Sequence, residues 1–145
     1  MRGLNNVRFV QGNLSGKSDY IQVDKKSGIT TMLRKKISER DLQILTETEI
    51  NSMNPVIWDN YTQMSGDKII FIEDLDTNKL DSIKIPNNVF IIEEDSIGDN
   101  KYNQIKGLKL SGNFIENKLD RVKIDQNSEL IYFMYDENSN LIGID

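Results

Sequence analysis

A chain of 145 residues with 37% hydrophobic and 28% charged side chains is the size of one domain and holds enough apolar material for a modest core. Its formal charge of −5, with a pI near 4.8 and no basic stripe beyond Arg34-Lys35-Lys36, argues against a nucleic-acid partner. With no Cys and no His, disulfides, thiolate chemistry, the commonest general base and the commonest transition-metal ligand are all excluded.

Val7-Arg8-Phe9-Val10 has the composition of a short strand, broken by Gly12-Asn13 and Ser15-Gly16. Asp19 to Asp24 alternates imperfectly, because Tyr20 falls out of step with Ile21 and Val23. Lys25-Lys26-Ser27-Gly28 has turn composition, with Gly28 free to take a positive φ, and Ile29 to Leu33 returns. The expectation over 19–34 is a β-hairpin.

Ser38 and Asp41 stand as an Asp version of the capping box, with Ile37 and Leu42 at the positions of a hydrophobic staple. Leu42, Leu45, Glu49 or Ile50, and Met53 follow helical spacing, and Thr46-x-x-Glu49 offers a second cap. Asn54-Pro55 can cap and start a further helix carrying Val56, Ile57, Trp58, Tyr61 and Met64, closed by Gly66. Two helices in succession form a corner whose apolar face is expected to cover a sheet. Trp58, the single Trp, reads as a core or interface anchor.

From Asp67 onward the chain is strand-like. Lys68 to Glu73 is a continuous apolar run of strand length, the pattern of a strand buried on both faces. Leu80 to Ile85 and Val89 to Ile92 follow, separated by Pro86-Asn87-Asn88. Glu93 to Lys101 is acidic and reads as a loop. Ile105 to Leu110, Leu119 to Ile124 and Leu130 to Tyr135 are further strand segments, and Leu141 to Ile144 pairs back as a hairpin.

One motif occurs twice. Asn78-Lys79-Leu80-Asp81-Ser82-Ile83-Lys84-Ile85 returns as Asn117-Lys118-Leu119-Asp120-Arg121-Val122-Lys123-Ile124, differing only at Ser82/Arg121 and Ile83/Val122. Phe71-Ile72-Glu73 and Phe114-Ile115-Glu116 precede the two copies. Leu80 to Ile92 resembles one unit of the BspA-type leucine-rich repeats, which implies a Leu-x-x-Ile-x-Ile-Pro strand followed by a hydrophobic return. The unequal gaps between the segments beginning at Leu80, Ile105 and Leu119 favour strands of one sheet over a solenoid. Tyr132 to Ile142 is similar to a single YD-type hairpin of shell-forming repeat proteins, which implies a hairpin only.

Candidate chemistry is sparse. Asp74-x-Asp76-x-Asn78 and Asp136-x-Asn138-x-Asn140 begin like calcium loops, but Lys79 and Leu141 occupy the position that needs Gly. Asp/Asn-rich turns that bond their own backbone account for both. Gly12-x-x-x-Gly16-Lys17-Ser18 is one residue short of a phosphate loop. Glu93, Glu94, Asp95 and Asp99 form an acidic cluster, read as a solvated loop or contact patch, with carboxylate acid/base chemistry the weaker reading.

The fold read from the sequence is one α+β domain, mostly β, over 1–145: an N-terminal strand and hairpin (1–36), one short helical corner (37–66) and an antiparallel meander carrying the repeat (67–145). The function expected is that of a non-enzymatic structural or protein–protein interaction subunit, of the kind built into a phage or phage-tail-like particle. The alternative is a small acidic inhibitor or immunity protein that covers a basic partner. No cofactor, metal, nucleic acid, membrane or small-molecule substrate is expected, and the partner is a protein or a second copy. The contact residues expected are Trp58, the aromatic set Tyr132, Phe133 and Tyr135, and the acidic set Glu93, Glu94 and Asp95. The opening residues lack the apolar stretch of a secretory signal, and no apolar run is long enough to span a bilayer, so the expected location is the cytoplasm or a particle assembled there.

Overall fold

The computed structural model describes residues 2–11, 14–59, 62–94, 102–126, 129–135 and 141–144. They form a mostly antiparallel β structure of thirteen strands in one sheet, with two short helices. The strands are β1 (Arg2–Gln11), β2 (Leu14–Asp24), β3 (Ile29–Leu33), β4 (Val56–Asp59), β5 (Thr62–Ser65), β6 (Lys68–Glu73), β7 (Leu80–Ile85), β8 (Val89–Glu94), β9 (Tyr102–Gly107), β10 (Lys109–Ile115), β11 (Lys118–Gln126), β12 (Glu129–Tyr135) and β13 (Leu141–Ile144). The helices are α1 (Glu39–Ile44) and α2 (Glu47–Asn51).

The pairing register reveals a simple plan. Tyr20, Ile21 and Gln22 of β2 pair with β1 and β3 together, while Leu14 to Lys17 pair with β1 and β4 together. β3 and β4 therefore lie end to end along the same edge of β2. In the same way β5 and β6, then β7 and β8, then β9 and β10, are successive halves of one long strand. The molecule is an up-and-down meander whose middle strands are each interrupted once. The interruptions, at 34–55, 66–67, 86–88 and 108, line up as a crease between an upper half-sheet (β3, β6, β7, β10) and a lower one (β4, β5, β8, β9). β2 and β11 border both halves. The Leu108 amide donates to the Asp125 carbonyl at 2.7 Å, and Gln126 Nε2 donates to the Lys106 carbonyl, so β9 meets β11 and nearly closes the ring of strands.

One face of both halves forms a single apolar cluster that includes Met32, Ile57, Met64, Ile69, Phe71, Ile83, Ile85, Ile91, Val122 and Ile124, each at most 1% exposed. Burying such a side chain stabilises the fold by about 1.5–3 kcal/mol. Neither helix contributes a buried residue. The described cover for this face is therefore the sheet itself, folded about the crease. Lys118, at the far end of the upper half, accordingly lies close enough to Asp59, at the far end of the lower half, to act on its titration.

The crease is held by polar groups. Ser18 Oγ donates to the Tyr20 carbonyl at 2.7 Å where β2 crosses it. The inward residues change there from Leu14, Gly16 and Ser18 to Ile21, which is the physical origin of the imperfect alternation around Tyr20. Gly66 sits where β5 passes into β6. A Cβ there would overlap the Ile85 Cγ2 methyl and lie 2.9 Å from the Asn87 carbonyl oxygen, so only Gly lets the chains approach.

The hairpin expected over 19–34 forms as β2–β3, with Gly28 at φ 74°. β2 begins earlier than expected: Ser15 and Gly16 lie inside it and pair with β1 and β4, so they do not break a strand. Both N-caps form, but only the second is a reciprocal capping box. Ser38 accepts from the Asp41 amide at 3.2 Å, and Thr46 and Glu49 make a reciprocal capping box. The second helix over 54–66 does not form. Pro55 is followed by the β4–β5 hairpin, where Ile57, Asp59, Thr62 and Met64 point inward and Val56, Trp58, Gln63 and Ser65 outward. Val, Ile and Trp suit a pleated surface, and sheet partners on both sides satisfy the backbone better than a short isolated helix. The helical corner does not cover the sheet either: Leu42 and Ile44 are 49% and 66% exposed.

The repeat is a hairpin made twice. β6–β7 and β10–β11 stand side by side, and both copies of the motif flank β10. Equivalent residues pair with the same β10 residue: Ile83 and Val122 with Gly112, Lys84 and Lys123 with Ser111, Ile85 and Ile124 with Leu110. The upstream Phe71 and Phe114 meet with ring centroids 6.3 Å apart. The entry turns touch as well. Glu116 and Asn117 both have positive φ, as a two-residue type I′ turn requires. Asn117 Oδ1 accepts from the Leu80 amide at 3.0 Å, and Lys79 Nζ donates to Glu116 Oε2 at 2.6 Å. The antiparallel pairing of neighbouring units excludes a leucine-rich-repeat solenoid here. β12 and β13 pair as the expected C-terminal hairpin, with its turn at 136–140 outside the described residues.

Candidate contact surface

The lower half-sheet carries apolar side chains on both faces. Along β8, Val89 and Ile91 enter the core at 2% and 0% exposure, while Phe90 and Ile92 point the other way and stay half-buried. Cross-strand pairing sets Val56, Ser65, Phe90 and Lys106 in one outward row and Trp58, Gln63, Ile92 and Gln104 in the next. α2 overhangs one side of this surface and creates a groove of about 560 Å³ with an apolar floor of Val56, Phe90 and Ile92. Its walls are amides and hydroxyls, among them Thr48, Asn51, Gln63 and Gln104. Trp58 Nε1 donates to Gln63 Oε1 at 3.1 Å, which fixes the indole beside the groove. Lys106 Nζ stands 5.9 Å from the Phe90 ring centroid.

The overhang is positioned from the crease. The chain leaves β3 at Arg34 and returns at Asn54, and Arg34 Nη1 donates to Asn54 Oδ1 at 2.9 Å across that neck. Asn54 is 7% exposed, so this is a buried acceptor with its partner supplied. Arg34 also lies 3.9 Å from Asp67 Oδ1, and Asn88 Nδ2 donates to both Asp67 oxygens at 3.0 Å. Asp19 Oδ2 accepts from the Lys35 amide at 2.9 Å. Four crossings of the crease are thus tied by one chain of polar contacts.

The expected contact residues do not form one site. Trp58 lies in β4 on the outward face. Glu93 lies in β8 but in the inward row with Asp59 and Thr62, on the opposite face from Trp58. Glu94 ends β8, paired with Tyr102, and Asp95 lies outside the described residues. Tyr132 and Phe133 of β12 pair with Lys123 and Val122, and Tyr135 pairs with Leu141, beyond β11 in the sheet order. Phe90, Ile92, Gln63 and the Arg34–Asn54 clamp were not singled out from the sequence. The continuous run Val89 to Ile92 was the available signal, since a strand apolar on both faces needs cover on both.

Two buried polar residues face the interior at the far end of the lower half. Asp59 is 6% exposed, and desolvation pushes its carboxyl above the usual range, partly opposed by the Lys118 charge. Thr62 pairs with Asp59, is 1% exposed, and its Oγ1 has no hydrogen-bond partner among the described residues. The calcium-like stretch at Asp74 is an Asx turn: Asp74 Oδ1 accepts from the Asp76 amide at 2.8 Å. Its counterpart at Asp136 lies outside the described residues. Gly16-Lys17-Ser18 lies within β2, paired to β1 and β4, so it has neither the loop nor the helix a phosphate loop requires. Among the described residues no three His, Cys, Asp or Glu side chains converge, and no helix is long and apolar enough to cross a membrane.

Comparison with protein-family models, with curated proteins and with solved structures finds no match for this chain.

Proposed function

We propose that the chain is a non-enzymatic protein–protein interaction subunit that buries the outward face of its lower half-sheet against a partner protein or a second copy. The observation that carries this reading is the two-faced apolar character of β8: Val89 and Ile91 are covered by the core, whereas Phe90 and Ile92 floor an open groove. An apolar strip that the described residues leave half-covered, bounded by amides and hydroxyls, is the composition of a contact surface with a polar rim. Trp58, braced by Gln63 beside the strip, has the size and rigidity of an anchor. The upper half supports the same reading, since Ile70 and Ile72 of β6 are outward and half-buried.

The test is purification of the protein from its native source, followed by light scattering of the complex. An association that Phe90→Ser and Ile92→Ser abolish, with the far-UV spectrum unchanged, supports the reading. A protein that is monomeric at every concentration and purifies alone refutes it. A salt-sensitive 1:1 complex with a basic protein that survives both substitutions would instead assign the chain to the acidic inhibitors.

A further inference from the structure

The repeat places like charges where an ordinary solvated sheet face would mix signs. Lys84 of β7 and Lys123 of β11 occupy equivalent repeat positions, and both pair across to Ser111 of β10 on the face opposite the core. At ordinary strand spacing each stands about 4.8 Å from Ser111 along the hydrogen-bonding direction, on either side of it. Lys109 lies two residues back on β10, hence on the same face. These residues line a shallow depression together with Asp125, which stands across from Lys109. All three lysines are exposed and form no ion pair among the described residues.

Edge protection does not explain them, because β7, β10 and β11 are interior strands with partners on both sides. Cross-strand pairing favours opposite charges, and Asp125 supplies one opposite Lys109 only. Lys84 has no acidic residue in cross-strand register among the described residues, and Lys123 shares Asp125, two residues along β11 on the same face, with Lys109. Two ammonium groups with a hydroxyl between them match a tetrahedral oxyanion, for which Lys acts as a compact point charge and Ser as a neutral donor.

We infer that the depression over Ser111 binds an oxyanion group, phosphate or sulfate, held between Lys84 and Lys123, with Lys109 as a third contact tempered by Asp125. This site lies on the upper half-sheet and does not depend on the groove beside Trp58.

The test is a titration of the full chain with pyrophosphate, followed by amide chemical shifts, with sodium chloride at matched ionic strength as the reference and a sulfated oligosaccharide in a parallel arm. Saturable shifts centred on Lys84, Ser111 and Lys123 are expected from at least one of the two ligands, and which one binds identifies the source of the group. Lys84→Gln or Lys123→Gln weakens that binding about tenfold, Asp125→Asn tightens it, and Lys36→Gln leaves it unchanged. The lysines are exposed, so these variants keep the wild-type spectrum. No saturable shift with either ligand, or an affinity unchanged in the Lys84→Gln, Lys123→Gln double variant, overturns the inference.

Discussion

Asp59 and Thr62 show how a single polar row behaves inside an apolar core. Burial holds the Asp59 carboxyl above its ordinary value, so between the unfolded and folded values the native state binds more protons than the unfolded chain. Stability from this group is therefore greatest when it is protonated at low pH, and it is lost as pH rises through that window. Asp59→Asn should raise the urea midpoint at neutral pH, and the gain should vanish on acidification. Urea unfolding at several pH values checks both parts. Glu116 acts in the opposite sense: the hydrogen bond from Lys79 lowers its value, so its contribution is present above the ordinary carboxylate range and fades as pH falls. Thr62 is the simpler case. Its buried hydroxyl has no partner among the described residues, so Thr62→Val should stabilise the protein by about 1 kcal/mol, measured by the same unfolding experiment.

Among the elements, the interruptions of the strands carry the most structural information and were the least legible in the sequence. Pro86 reads as a strand end, Gly66 as the end of a helix and Leu108 as the interior of a strand over 105–110, because local composition marks a turn at best and not whether the chain continues in the same direction beyond it. The same limit produced the helical reading of 54–66. Val56, Ile57, Trp58, Tyr61 and Met64 fit a helical stripe, yet Ile57 and Met64 also fit the inward face of two short strands, and only the sheet partners decide between them. Where the determining contacts are local, the sequence suffices: the Ser38 and Thr46 caps and the Gly28 turn form as expected. Gly66→Ala should cost about 2 kcal/mol by forcing β5–β6 away from Ile85 and Asn87, read as a fall in the unfolding midpoint. Arg34→Ala should free the neck of the excursion at Asn54, destabilising by about 1–2 kcal/mol and speeding proteolytic cleavage within 34–55.

For the whole molecule, the repeat was visible in the sequence as a packing signature, and the structure explains its form. Two equivalent hairpins flank one another, so one strand, β10, must satisfy both copies of the motif with the same residues. Gly112 leaves room for the Ile83 and Leu119 side chains on its two sides, while Ser111 receives the two lysines on the other face. The contact surface was only half legible. Trp58 was singled out for its chemistry, but the groove beside it depends on the β4–β5 hairpin and the α2 overhang, which arise from long-range pairing. The central claim is that the outward face of β8 is a protein contact. Mass measurement by light scattering over a concentration series tests it most directly, using the protein as purified from its native source. The account predicts a species heavier than the 16.7 kDa chain that returns to that mass in the Phe90→Ser, Ile92→Ser variant. A mass of 16.7 kDa for the wild-type chain throughout, with no protein bound, would contradict it.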